Sequence, residues 1–184
     1  MPLQHEVLEM FDVLWWQTIF LSIYSIIFIV YIGKLIVSIN KKVIHYFTYC
    51  IAFILLANEI IIQLYQQYIG IWSVIHSLPL HLCGLSSILS WVVLFYRNQL
   101  LYEILILWGI TGAFHSLLTP EFTLGTEGYL FYDYYISHVG ILISSCYLTF
   151  VLDMRPRQYS WLKTFLIMQL LIPTIGFINW LFNA

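Results

Sequence analysis

The sequence predicts an all-α, polytopic membrane helix bundle with six transmembrane helices, both termini outside and the basic turns in the cytoplasm. Three observations carry this reading. The 184-residue chain is 61% hydrophobic and 9% charged, with a mean hydropathy of +0.88, which is too apolar for a soluble domain of that length. Its apolar residues fall into six runs, each long enough at 1.5 Å per residue to cross about 30 Å of hydrocarbon. All the lysines and arginines, Lys34, Lys41, Lys42, Arg97, Arg155, Arg157 and Lys163, lie at helix ends that one topology puts on a single side.

Residues 1–14 form a polar lead-in carrying Glu6, Glu9 and Asp12, expected to lie outside. Trp15 and Trp16 mark an interface belt, and helix one follows over 15–37. No basic stretch precedes it, so the reading expects a retained helix rather than a cleaved signal peptide. Helix two spans 43–65 and holds Asn58 and Glu59 inside its apolar run. An uncharged connection leads to helix three, 78–96, which Arg97-Asn98 closes, and helix four covers 99–118. A longer acidic loop from Thr119 to Leu130 is expected outside; helix five runs over 131–152 and helix six over 159–181. No internal repeat of the inverted transporter kind is present, so residues 15–184 are expected to form one domain, multi-pass in the plasma membrane.

Composition also excludes function classes. Cys50, Cys83 and Cys146 are odd in number and lack CxxC spacing, which argues against a disulfide framework or a structural zinc site. Seven basic residues spread over three turns make no nucleic-acid surface. No helix carries two metal ligands at i, i+3 or i, i+4, so no metal or cofactor is expected, and the expected partners are membrane lipids. None of these features encodes an oligomeric state.

The stretch Ser77-Leu-Pro-Leu-His-Leu-Cys-Gly-Leu-Ser-Ser-Ile-Leu-Ser90 carries the chemistry. Ser77 reads as an N-cap and Pro79 as a first-turn residue, which places His81 and Cys83 in the first two turns of helix three. Unpaired N–H groups and the helix dipole there favour an anion, which suits a nucleophilic thiolate. The plainer alternative is a small apolar cysteine beside a hydrogen-bonded histidine.

Counted from the outer helix ends, Glu59, His81, Cys83, His115 and His138 reach similar depths in the outer leaflet on four helices. Such groups cost at least ~2.5 kcal/mol each in hydrocarbon and therefore turn inward and pair. Glu59, Gln63, Gln66 and Gln67 form a stripe leading outward. Cys83, Ser86, Ser87 and Ser90 form a second, Trp108, Thr111, Gly112 and His115 a third, and Gln169, Gly176, Asn179 and Asn183 a fourth, with Pro173 expected to break that helix. Small-residue stripes also serve plain helix packing. At 100° per residue His81 and Cys83 point about 200° apart, so the base for Cys83 is expected on another helix: His138 first, His115 second, with Glu59 orienting the imidazole. Asn58, Gln63 and Asn179 are supporting residues. His5, His45 and His76 receive no chemistry, and Glu103 reads as snorkelling towards Arg97.

Leu78-Pro-Leu-His-Leu-Cys83, Leu117-Leu-Thr-Pro-Glu121 and Tyr134-Tyr-Ile-Ser-His138 together resemble the YwaF-like bacterial integral membrane proteins, related to the eukaryotic transmembrane protein 164 family. The similarity covers helices two to six. His115-Ser116 stands where that pattern has glutamine-alanine, and the pattern continues past a sixth helix where this chain ends at Asn183-Ala184. The resemblance implies a membrane enzyme of lipid metabolism, the eukaryotic relatives being acyltransferases that move a fatty acyl chain onto ether lysophospholipids, with Cys83 as the acyl-carrying nucleophile and His81 and His138 as the matching histidines. The expectation is therefore a cysteine-dependent acyltransferase or acyl hydrolase acting on phospholipid or lysophospholipid through a thioester on Cys83 in the outer leaflet. The alternatives are a small-molecule carrier or transporter substrate-binding module with an outward-facing polar cleft, and a structural protein.

Overall fold

The computed structural model describes residues 5–182, the side chains of His76 and Phe182 excepted. Asn183, the last member of the helix-six stripe, lies outside the described residues. The chain is a bundle of α1 (Val13–Ile39), α2 (Val43–Tyr68), the single turn α3 (Val74–Ser77), α4 (Leu82–Tyr96), α5 (Gln99–Ile104), α6 (Ile110–Leu118), α7 (Tyr129–Phe150) and α8 (Ser160–Phe182). A π-helical turn, Leu105–Gly109, joins α5 to α6, so that Gln99–Leu118 is one continuous helix. It is a membrane bundle, and four of its helices, α1, α2, Gln99–Leu118 and α8, are long and apolar enough to cross a bilayer. The faces of α1 and α8 away from the bundle carry Phe20, Leu21, Tyr24, Ile27, Phe165, Leu166 and Leu170, all exposed as a lipid-facing surface requires.

The ends of these helices follow from local chemistry. Asp12 caps α1 by accepting from the Val13 N–H at 2.9 Å. Arg97 closes α4 in the left-handed region (φ 48°), and Asn98 caps α5 through bonds from the N–H groups of Leu100 and Leu101, so two residues reverse the chain. Pro173 does not break α8, which runs continuously past it. Proline removes the N–H that would reach the Gln169 carbonyl, and a long apolar helix in lipid tolerates that single loss.

Helix α7 is the centre of the packing, touching α1, α2, α4 and α6, while α2 and α4 lie side by side. The core joins Ile51, Ala52 and Leu55 of α2, Val93 and Leu94 of α4, Leu117 of α6, and Ile141, Tyr147 and Leu148 of α7. Tyr147 lies fully buried and its hydroxyl meets Thr48 Oγ1 at 2.7 Å, a polar tie between α7 and α2. Two-residue strands β1 (Glu6–Val7) and β2 (Glu121–Phe122) pair antiparallel, and His5 Nε2 meets Glu121 Oε1 at 2.7 Å. The lead-in is thus fastened to the loop between α6 and α7.

Gly128, at the start of α7, has φ 58° and ψ −122°, and a Cβ there would lie 2.1 Å from the Tyr65 hydroxyl. Only glycine meets both conditions. Gly128→Ala is expected to cost about 1–3 kcal/mol, read as a lower thermal midpoint of the detergent-purified protein; an unchanged midpoint would show that the α6–α7 loop relaxes freely.

Candidate functional site

A cavity of about 570 Å³ opens where the C-terminal half of α2, the start of α4, the end of α6 and the first turns of α7 converge beneath the loop between α6 and α7. Its shape comes from an early break in helix three. Leu78 precedes a proline and is therefore driven out of the helical region, so the expected helix start at Leu78 does not form. Ser77 instead ends α3, and its Oγ accepts from the Ser73 N–H. The helix begins at Leu82, and the residue that caps it is His81, whose Nδ1 accepts from the Gly84 N–H at 3.1 Å. At 15 residues, α4 rises only about 22 Å. The unwound Leu78–His81 segment fills the remaining depth, irregular backbone of the kind a bilayer tolerates where it lines a cavity. Gly84 is required here, because a Cβ would lie 2.9 Å from Pro79 Cα.

This start also revises the angular argument. His81 is extended (φ −133°, ψ 161°), so the 200° separation expected on a regular helix does not hold, and His81 and Cys83 line the same cavity. Cys83 is the second residue of α4, next to N–H groups without intrahelical partners. Its Sγ lies 3.9 Å from Ser116 Oγ of α6. Because His81 Nδ1 is occupied as an acceptor, the neutral ring carries its proton on Nε2.

His138 has the opposite tautomer. Its Nδ1–H donates to the Tyr134 carbonyl at 2.6 Å, which leaves Nε2 as the nitrogen that can accept a proton. The ring is 9% exposed and its centroid lies 4.3 Å from that of Tyr134, whose hydroxyl donates to the Ser116 carbonyl at 2.8 Å. His81 and His138 are within electrostatic reach of each other, as are Tyr134 and Cys83.

Opposite these lie carboxylates. Glu59 Oε2 accepts from Ser87 Oγ at 3.3 Å, and Asp133, close enough to Glu59 to feel its charge, accepts from Asn58 Nδ2 at 2.8 Å and from Ser137 Oγ. Tyr129 donates to Asn58 Oδ1 at 2.6 Å and completes that network. Gln66 is buried in the wall, and its Oε1 has no hydrogen-bond partner among the described residues. Among the described residues the lining holds Glu59, Glu121 and Asp133 but no lysine or arginine.

Of the residues singled out in the sequence, Cys83, His81, His138, His115, Glu59 and Gln63 line this cavity. Asn58 lies behind the wall, holding Asp133. Asn179 lies outside it, with Nδ2 3.5 Å from the Leu80 carbonyl, where it steadies the unwound segment. Gln63 is a strut as well: Nε2 donates to the Ser77 carbonyl and Oε1 accepts from Trp72 Nε1. Asp133 was missed, although an acid one turn into an apolar helix is a functional candidate on membrane cost alone. Tyr134 and Ser116 carried no comparable signal. Among the described residues no group of three or more His, Cys, Asp and Glu is arranged to hold a metal.

No curated protein and no solved structure matches the chain. A family model does, over residues 3–184, and it carries the relation to transmembrane protein 164 but not the bacterial YwaF-like grouping. Spanning almost the whole sequence, that match makes the chain a member of the TMEM164 family.

Proposed function

We propose that this protein is a membrane-embedded, cysteine-dependent lipid acyltransferase or acyl hydrolase that carries the acyl group on Cys83. The observation that supports it most is the pairing, in one cavity, of a helix-start cysteine with a buried histidine whose Nδ1–H is fixed on a carbonyl. His138 Nε2 takes the thiol proton, and Cys83 Sγ attacks the carbonyl carbon of a glycerolipid ester. The ester C–O bond breaks, the thioester C–S bond forms, and the proton passes from His138 to the departing lysolipid oxygen. In the second half an acceptor hydroxyl, or water, gives its proton to His138 and attacks the thioester; the proton then returns to sulfur. The unpaired N–H groups of the α4 first turn and the Nε2–H of His81 are the donors available to the oxyanion. The acyl chemistry itself rests on the family resemblance.

Intact-protein and peptide mass spectrometry after incubation with phospholipid tests this. The expected result is a hydroxylamine-labile acyl mass on Cys83, absent in Cys83→Ser. An unmodified Cys83 across phospholipid and lysophospholipid classes would overturn it. One feature favours the carrier reading: three carboxylates without a lysine or arginine suit a cationic small molecule. Under that reading Cys83→Ser leaves ligand binding intact, and Glu59→Gln weakens it.

A further inference from the structure

A second cleft, about 490 Å³, lies at the other end of the bundle, lined by Lys42, His45, Tyr46 and Tyr49 of the α2 start and by Phe95, Tyr96 and Arg97 of the α4 end. His45 is about 21 Å along α2 from Glu59, so this is separate from the cavity around Cys83. Its polar groups are nearly all donors. Arg97 Nη2 donates to His45 Nδ1 at 2.8 Å, which leaves His45 with its proton on Nε2 and four further N–H donors on the guanidinium. Helix α2 begins at Val43 with Lys42 as its N-cap; Asn40 Oδ1 accepts from the Lys42 N–H at 2.9 Å, and the remaining N–H groups of the first turn leave the positive end of the dipole facing the same region. Among the described residues no carboxylate lies within ion-pair distance of Lys42 or Arg97, whereas Arg155 and Arg157 are paired with Asp153 and Glu103. Two cations without a carboxylate partner at the end of a membrane bundle, one of them resting on a neutral imidazole, suit an acceptor-rich anion.

The apolar side of the cleft says which kind. Tyr46, Tyr49 and Phe53 share a face of α2 at i, i+3 and i+7, and all three are exposed. Phe95 stacks on Tyr49 at 5.8 Å and meets Phe53 edge-on at 5.1 Å, so an exposed aromatic surface continues from the cleft down the face of α2 to Phe53. A soluble anion has no use for that surface; an acyl chain does.

We propose that this cleft binds an anionic phospholipid, its phosphate on Lys42, Arg97 and the His45 Nε2–H and an acyl chain along Tyr49, Phe53 and Phe95. The site is independent of the chemistry at Cys83.

The test is native mass spectrometry of the delipidated, detergent-purified full chain with equimolar phosphatidylglycerol and phosphatidylcholine. The expected result is preferential retention of phosphatidylglycerol. Lys42→Gln and Arg97→Asn, the latter because asparagine tolerates the left-handed backbone, should each lower that retention about fivefold. Lys42 is exposed, so Lys42→Gln leaves the fold alone and decides the matter even if Arg97→Asn misfolds. Excess inorganic phosphate should not displace the lipid. Equal retention of the two lipids, unchanged retention in Lys42→Gln, or complete displacement by inorganic phosphate would each overturn the proposal. The acyl adduct on Cys83 is read in the same spectra, so failure here and failure of the acyltransferase reading are separate outcomes.

Discussion

His138→Ala is expected to slow formation of the Cys83 thioester by about 10²–10⁴-fold, the range in which a positioned general base contributes. The buried ring is held by Tyr134 twice, through the 2.6 Å bond from Nδ1 to the carbonyl and through the face of the side chain. That double hold fixes the tautomer in which Nε2 can take a proton. His81 cannot stand in for it while Nδ1 caps α4. His81→Ala should therefore cost about 1 kcal/mol of stability, as lost N-caps do, with a smaller effect on acylation that comes from the oxyanion side. Time-resolved mass spectrometry of the adduct, normalised to the folded fraction, separates the two variants. Full acylation in His138→Ala would remove it from the mechanism and pass the role to His115, which reaches the cavity from the end of α6.

Much of the fold was legible because a bilayer leaves few alternatives. Helix two was expected over 43–65 and is observed as Val43–Tyr68; helix four was expected over 99–118 and its ends are as observed. The π turn at Leu105–Gly109 was invisible, since one extra residue in a helix leaves no compositional trace. It matters all the same: the stripe Trp108, Thr111, Gly112 and His115 assumed a regular helix, and of its members His115 alone lines the cavity. The start of helix three was misplaced for a different reason. Pro79 fits a first turn, but it also excludes Leu78 from helical backbone, and the second effect prevailed.

The lining of the cavity was legible where cost made it so. Glu59, His115 and His138 stand out because ionisable groups in apolar runs turn inward, and the structure brings them into one cavity with Cys83. Which ring nitrogen each histidine leaves free was not legible, since that is set by the Gly84 N–H and the Tyr134 carbonyl. The loop contribution was also hidden. Glu121 and Phe122 reach the cavity because β2 pairs with β1, a contact between residues more than a hundred positions apart.

Glu103→Ala is expected to destabilise the bundle by about 2 kcal/mol, a fall of roughly 4–8 °C in thermal midpoint for a chain of this size. Sequence alone suggested a carboxylate snorkelling towards Arg97. Instead Glu103 is fully buried and holds Arg157: Oε1 accepts from the Arg157 backbone N–H at 2.9 Å, from its Nε at 2.8 Å and from Gln99 Nε2 at 3.0 Å, while Oε2 accepts from Nη2 at 2.9 Å. Arg97 was the wrong partner because it is turned to His45 at the α4 end. Gln99 Nε2 also donates to the Arg155 carbonyl at 2.8 Å, so one carboxylate fixes the whole linker between α7 and α8 against α5. Arg157 keeps half its side chain in water, which holds the cost below the ~3–5 kcal/mol of breaking a fully buried pair. Glu103→Gln should be little better, because its amide opposes one donor with another, and Arg157→Lys should lose the fork while keeping the charge. Limited trypsinolysis gives the second readout: release of the linker exposes cleavage after Arg157 in Glu103→Ala, Arg155 being protected by the proline that follows it. An unchanged midpoint together with an uncut linker would show that α8 is held by other contacts. The folded fraction of Glu103→Ala should acylate Cys83 at the parent rate, since Glu103 lies about 18 Å along its helix from His115.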